Sequence, residues 1–244
     1  MSDTPPSTRP RAVIFDWGGT LTPWHAIDPY EQWRPYARVY APDDADALAA
    51  RLVAAEDASW ARARQESRAS TLDHVFRSAG VEPSGERHTR ALAAYHAGWE
   101  PHTYADPDAA DVMTAMRDRG LAVGVLSNTL WTRAFHEEVF ARDGLLALID
   151  GAVYSSELPW TKPHADAFTA AMAAVGVTDP AACVFVGDRP YDDIHGAKRA
   201  GMRAVLVPHS AIPAWQRGHV QGEPDAVIQR LSDLVPLVDG WLAG

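Results

Sequence analysis

Five short apolar runs punctuate the chain: "AVIFD", "LAVGVLSN", "GAVYSS", "CVFVGD" and "RAVLVP". They are rich in β-branched residues and continuously apolar rather than alternating, the pattern of strands covered on both faces. From Asp106 onward, helical patterns separate them. "DPDAADVMTAMRDRG" has Pro near its start, Gly at its end, and Val112, Met113 and Met116 on one face. "HADAFTAAMAAVG" and "YDDIHGAKRAG" follow the same grammar. Strand–helix alternation predicts a doubly wound parallel sheet, whose ligands sit at the carboxyl ends of the strands. Between Thr22 and about Pro101 the strand signal vanishes. "ADALAARLVAAEDASWARAR", "STLDHVFRSAG" and "SGERHTRALAAYHAGW" read as amphipathic helices, with Ser70 and Ser84 as N-caps of the last two. The pattern therefore predicts a helical insert over residues 22–100, with 11–21 and 101–244 forming the α/β core. Residues 1–10, rich in Pro, Ser and Thr, read as a disordered lead-in.

Composition narrows the partners. Of 244 residues, 22 are basic and 32 acidic, which argues against nucleic acid or an anionic membrane as the main partner. No apolar stretch is long enough to span a bilayer and the N-terminus lacks a signal peptide's apolar core, so the expected compartment is the cytoplasm. Oligomeric state cannot be read from this sequence. The single cysteine, Cys183, sits within an apolar run and reads as a small buried hydrophobe. Only Lys162 and Lys198 are lysines against twenty arginines, so a lysine at a chemically meaningful place carries weight.

The strand ends supply that chemistry. The first run ends in Asp16, the second in Ser127-Asn128 and the fourth in Gly187-Asp188, while Lys162 follows the third run in "TKPHADAF". Acids, a hydroxyl and a cation thus gather at one edge of one sheet, more than helix caps explain. Lys198, on the amphipathic "GAKRAG" segment, reads as a surface residue.

Four stretches in order, "FDWGGTL", "VLSNT", "TKP" and "VGDRPYDDIHGAKRAGM", make the chain resemble the haloacid dehalogenase (HAD) superfamily from Arg11 almost to its C-terminus. The resemblance implies a Rossmann-like core with a helical C1-type cap, and a Mg²⁺-dependent phosphatase acting on a small phosphorylated metabolite. It implies Asp16 as the nucleophile that forms an aspartyl-phosphate, and Ser127 with the amide of Asn128 as phosphate donors. Lys162 would neutralise charge between nucleophile and phosphoryl group. Asp16, the backbone carbonyl of Gly18 and Asp188 would hold Mg²⁺, with Asp193 in support. Asp192, the neighbouring acid, is the alternative for that support or a helix cap.

One position departs from the pattern. Where family phosphatases carry an acid that protonates the leaving group, this chain has Gly18. A glycine keeps its carbonyl and moves no proton, and such an acid typically contributes about 10²–10⁴-fold. Three readings follow: a phosphatase that is slow or borrows a proton carrier such as His25; a dehalogenase-like C–halogen hydrolase; or a catalytically impaired binding protein. A C–P bond-cleaving phosphonatase is disfavoured, because the predicted cap contains no lysine to form a Schiff base. Trp17, Trp24, Trp131 and Trp160 lie near the site motifs and suggest either an aromatic-walled pocket or packing between cap and core. Arg34, Arg38, Arg62 and Arg64 are cap cations that read as mostly solvated.

Overall fold

The computed structural model describes residues 8–23, 25, 27–207 and 223–244; residues 1–7 of the expected lead-in and Trp24 lie outside these. The five apolar runs are strands: β1 (Ala12–Phe15), β2 (Ala122–Ser127), β3 (Gly151–Tyr154), β4 (Cys183–Gly187) and β5 (Arg203–Leu206). A sixth, β6 (Ala226–Val227), joins them in a parallel sheet of order β3-β2-β1-β4-β5-β6. The chain winds outward from β1 through β2 to β3, then returns to place β4 on the other flank of β1. Asp16 and Asp188, the residues that follow β1 and β4, therefore lie at the point where the winding reverses, the place where open α/β sheets form a crevice.

Every residue of β1 is fully buried. Alternate residues feed two apolar clusters. Val13, Phe15, Val123, Val125, Val184 and Val186 face one side, while Ala12, Ile14, Leu126 and Phe185 face the other. The second cluster is covered by α7 (Ala165–Ala174) and α8 (Gly196–Arg199) through Phe168, Met172 and Ala197. The first is covered by α5 (Ala109–Asp118) and α9 (Leu234–Ala243), and α6 (Arg133–Arg142) adds Phe135 and Phe140.

Residues 22–100 contain helices and, among the described residues, no strand of the sheet: α1 (Pro29–Tyr40), α2 (Ala45–Glu66), α3 (Leu72–Ser78) and α4 (Gly85–Trp99). Asp28 caps α1 by accepting from the Tyr30 amide at 2.8 Å, and Pro29 sits where its missing N–H has no partner to lose. Trp33, Tyr36, Phe76 and Tyr95 close the space between these helices, and the same apolar cluster runs on into Val13 and Phe15 of β1.

Three local readings change. Thr71, not Ser70, caps α3, accepting from the His74 amide at 3.2 Å, while Ser70 bonds the Ser59 hydroxyl instead. Ser84 stands at the N-cap of α4 but its side chain makes no capping bond. "YDDIHGAKRAG" is not one amphipathic helix: a π-helical turn over Pro190–His195 precedes the single turn of α8. The wider turn lets Asp193 reach back past the end of β4, where its Oδ2 accepts at 2.8 Å from the amide of Arg189, two residues beyond the strand.

That return explains Gly187. A Cβ there would stand 2.5 Å from the Cβ and Cγ of Asp193. Asp193 is pinned by Lys162 and by the Arg189 amide, so it cannot swing aside cheaply. Gly187→Ala is expected to cost about 1–3 kcal/mol in urea unfolding, with the slope of the transition unchanged. An unaltered midpoint would mean that Asp193 is loosely held.

Candidate active site

Lys162 is the centre of the site. It is 3% exposed and enters on the loop between β3 and α7. Its Nζ donates to Asp16 Oδ1 at 2.6 Å and pairs with Asp193 Oδ1 at 2.7 Å. The loop is fixed from β2. The Asn128 side chain accepts from the Lys162 amide at 2.8 Å and donates to the Lys162 carbonyl at 3.0 Å. The Asn128 side chain is thus committed to holding the lysine's backbone.

Asp16, Asp188 and Asp193 are all buried, and each offers an oxygen within 4.8 Å of the others. Arg189 Nε stands 3.0 Å from Asp188 Oδ2, and the Thr20 hydroxyl donates to Asp188 Oδ1 at 3.5 Å. Burial pushes the Asp16 carboxyl above its ordinary range, with Lys162 pulling it back and Asp188 pushing it up again. Burial likewise lifts Asp193 to about 6 against the pull of Lys162. Burial alone would lower the ammonium of Lys162, but Asp16 and then Asp193 outweigh it and hold the lysine above its usual value. All three groups are ionisable and crowded: three carboxylates meet the two cations Lys162 and Arg189.

A cavity of about 500 Å³ opens above this cluster. Asp16, Gly18, Ser127, Asn128 and Lys162 line its floor, and both Asp192 and Asp193 line it too. Asp193 alone of the adjacent pair joins the three-carboxylate cluster. Gly18 has open space where a Cβ would stand. His25 is exposed, lines the cavity and meets the His102 ring edge-on at 5.0 Å. Of the tryptophans singled out by sequence, Trp17 and Trp131 line the cavity. Trp160 does not: it stacks on His164 at 4.2 Å and lies under Arg68. Arg64 reaches the cavity, Arg38 and Arg62 are exposed outside its lining, and Arg34 pairs with Glu31 at 2.6 Å. Lys198 is half-buried and paired with Asp225 at 2.8 Å, tying the segment before β6 to the neighbourhood of β5.

Sequence reasoning missed Thr20, Arg189, Glu56, Trp60, Tyr95 and Trp99. The last four come from α2 and α4 and wall the cavity opposite the sheet. Glu56 and Trp60, four residues apart on α2, were the available signal: an acid facing an indole within an alanine-rich helix.

With the geometry in view, the comparisons decide the family. Residues 10–201 match the model of the haloacid dehalogenase-like hydrolases. The chain belongs to this hydrolase family. Among relatives of this HAD-like hydrolase, a glyceraldehyde 3-phosphate phosphatase from Methanopyrus kandleri is 28% identical over 167 residues, covering 68% of this chain and 70% of the relative. A phosphoglycolate phosphatase from Synechococcus elongatus is 27% identical over 93% of this chain and 97% of its own length. Against three further phosphatases the chain spans 56% of their length. A 2-haloacid dehalogenase from Pseudomonas syringae shares the fold with a TM-score of 0.67 at 23% identity, over 95% of this chain and 99% of that one. No helix of the described HAD-like hydrolase is long and apolar enough to cross a membrane.

Proposed function

We propose that this protein is a Mg²⁺-dependent phosphatase that works through an aspartyl-phosphate on Asp16. The observation that carries the reading is the buried Asp16–Lys162–Asp193 bridge beside Asp188, at the floor of one cavity. The phosphatase relatives support the reaction class. The carboxylates outnumber their cations and are oxygen donors without a soft ligand among them, a set suited to a hard divalent cation. Asp16 and Asp188 with the Gly18 carbonyl would hold Mg²⁺, and Asp193 would support it. When bound, the ion supplies charge neutralisation at the phosphoryl oxygens.

The residues account for the remaining steps. The Asp16 carboxylate attacks phosphorus, and the bond to the leaving oxygen breaks with its electron pair passing to that oxygen. Lys162 Nζ, the Ser127 hydroxyl and the Asn128 amide face the phosphoryl oxygens. Water then cleaves the acyl phosphate, releasing inorganic phosphate and restoring Asp16. Residues 11–21 and 101–244 form the catalytic core in this reading, and 22–100 act as a cap that walls the cavity. The substrate is a small phosphorylated molecule.

Two measurements test it together. Hydrolysis of p-nitrophenyl phosphate is expected to need Mg²⁺ and to stop in EDTA. Gly18→Asp, whose side chain has open space to enter, is expected to raise alkyl phosphate turnover by about 10²-fold. Equal rates with and without metal would overturn the Mg²⁺ dependence, and chloride release from a 2-haloacid without metal would move the protein to the dehalogenase reading. A natural sequence that turns over alkyl phosphates rapidly until His25 is changed would place the proton carrier at His25.

A further inference from the structure

Four indoles and one phenol line the cavity, Trp17, Trp60, Trp99, Trp131 and Tyr95, beside polar groups that include Gln32, Glu56 and Arg64. The rings are held in fixed poses rather than left free to adapt. Trp131 meets Trp17 edge-on at 5.4 Å and Trp99 at 4.9 Å, and its indole N–H donates to the Tyr95 hydroxyl at 3.1 Å. Trp60 is tied to Glu56 Oε1 at 3.2 Å, and Trp33 holds the other oxygen of the same carboxylate at 2.7 Å. A wall preset in this way binds a flat ring with little ordering cost.

The floor imposes a second, independent demand. The stretch beside the nucleophile, Gly18-Gly19, carries no side chain that could hand a proton to a leaving oxygen. Across the cavity, Glu56 accepts from two indole N–H groups, and burial outweighs those bonds to hold its carboxyl above the ordinary range. Burial, and then the neighbouring His25, lower the pKa of His102, which favours its neutral form. With no acid at position 18 beside the nucleophile, this floor suits a leaving oxygen that can depart as an anion, and a phenolic oxygen does so where an alkyl oxygen does not.

Wall and floor point to the same molecule. We propose that the cavity takes the phosphate monoester of a phenolic ring, the ring seated among the indoles and the phosphoryl group on Asp16 and Lys162. This rests on the phosphatase reading above and names its substrate class. As Asp16 bonds to phosphorus, the phosphorus–oxygen bond to the ring breaks and its electron pair leaves on the phenolate, which takes its proton from water. A second water then hydrolyses the acyl phosphate.

Four phosphates separate the two demands in the Mg²⁺-loaded protein. Phenyl phosphate has ring and leaving group, benzyl phosphate the ring alone, acetyl phosphate the leaving group alone, and ethyl phosphate neither. The expected kcat for phenyl phosphate exceeds that for benzyl phosphate by about 10²-fold, the span an absent general acid leaves open. Its KM is expected to lie at least about tenfold below that of acetyl phosphate, and Trp99→Leu is expected to erode that ratio by about three- to tenfold. Equal kcat for phenyl and benzyl phosphates would overturn the leaving-group demand, and equal KM for phenyl and acetyl phosphates would overturn the ring seat. Either result leaves the phosphatase reading standing. Failure to hydrolyse acetyl phosphate, the most activated of the four, would remove the phosphatase reading and this substrate class with it.

Discussion

Asp16→Asn is expected to end turnover while leaving the protein at least as stable as the natural chain. The catalytic half follows from the loss of the attacking carboxylate: an amide does not form the acyl phosphate, and removal of a covalent nucleophile costs on the order of 10⁴-fold or more. The stability half follows from the crowding. Asp16 is buried, and burial first and Asp188 second hold its carboxyl above the usual range, while Lys162 opposes them. A carboxyl whose folded-state pKa is raised stabilises the fold only while protonated, so that contribution is lost as pH rises through the folded value. Asparagine escapes this, and its Oδ1 can still accept from Lys162 Nζ, where Asp16 accepts at 2.6 Å. Thermal melts without metal at pH 7–8 should therefore place the variant level with or above the natural chain, the gap closing in acid. A folded variant that retained a tenth of the turnover would remove Asp16 from the role of nucleophile.

The same crowding explains which parts of the molecule were legible beforehand. Strands such as Ala12–Phe15 announce themselves because both faces are covered, and a polar residue can enter only at the strand end, where Asp16 stands. Once the sheet order brings β1 beside β4, Asp16 and Asp188 must meet. Lys162 follows from the shortage of lysines. β6 was not legible: two residues at the sheet edge, with Val227 exposed, carry no periodic signal. Nor could the sequence assign the Asn128 side chain to the Lys162 backbone, since that pairing spans 34 positions and depends on β2 and β3 lying side by side. The cavity wall was the least legible part. Glu56, Tyr95 and Trp131 come from α2, α4 and the loop after β2, and only tertiary packing brings their hydrogen bonds together.

Lys162→Met should have the largest effect on the fold itself. The side chain is enclosed, and its ammonium is the cation shared by Asp16 and Asp193. Methionine fills a similar volume but leaves those two buried carboxylates, with Asp188 close by, facing one another without that charge. Breaking a buried pair by removing one partner costs about 3–5 kcal/mol, far more than an exposed ion pair returns. The cost has a pH signature. Without the lysine, the folded-state pKa values of Asp16 and Asp193 rise further above their unfolded values, so protonation protects the fold at low pH and the loss grows as pH climbs through the folded values. Urea unfolding of the metal-free variant should fall short of the natural chain most at pH 8 and least near pH 5. Mg²⁺ should recover part of the deficit by ligation to the same carboxylates, while turnover stays low because the ammonium facing the phosphoryl oxygens is gone. Adding Asp16→Asn to Lys162→Met should recover stability without metal, since one of the two stranded charges is then removed. A single variant that unfolds at the natural midpoint at pH 8 without metal would mean that the bridge contributes nothing to the fold, and that Lys162 is kept at the cavity floor for chemistry alone.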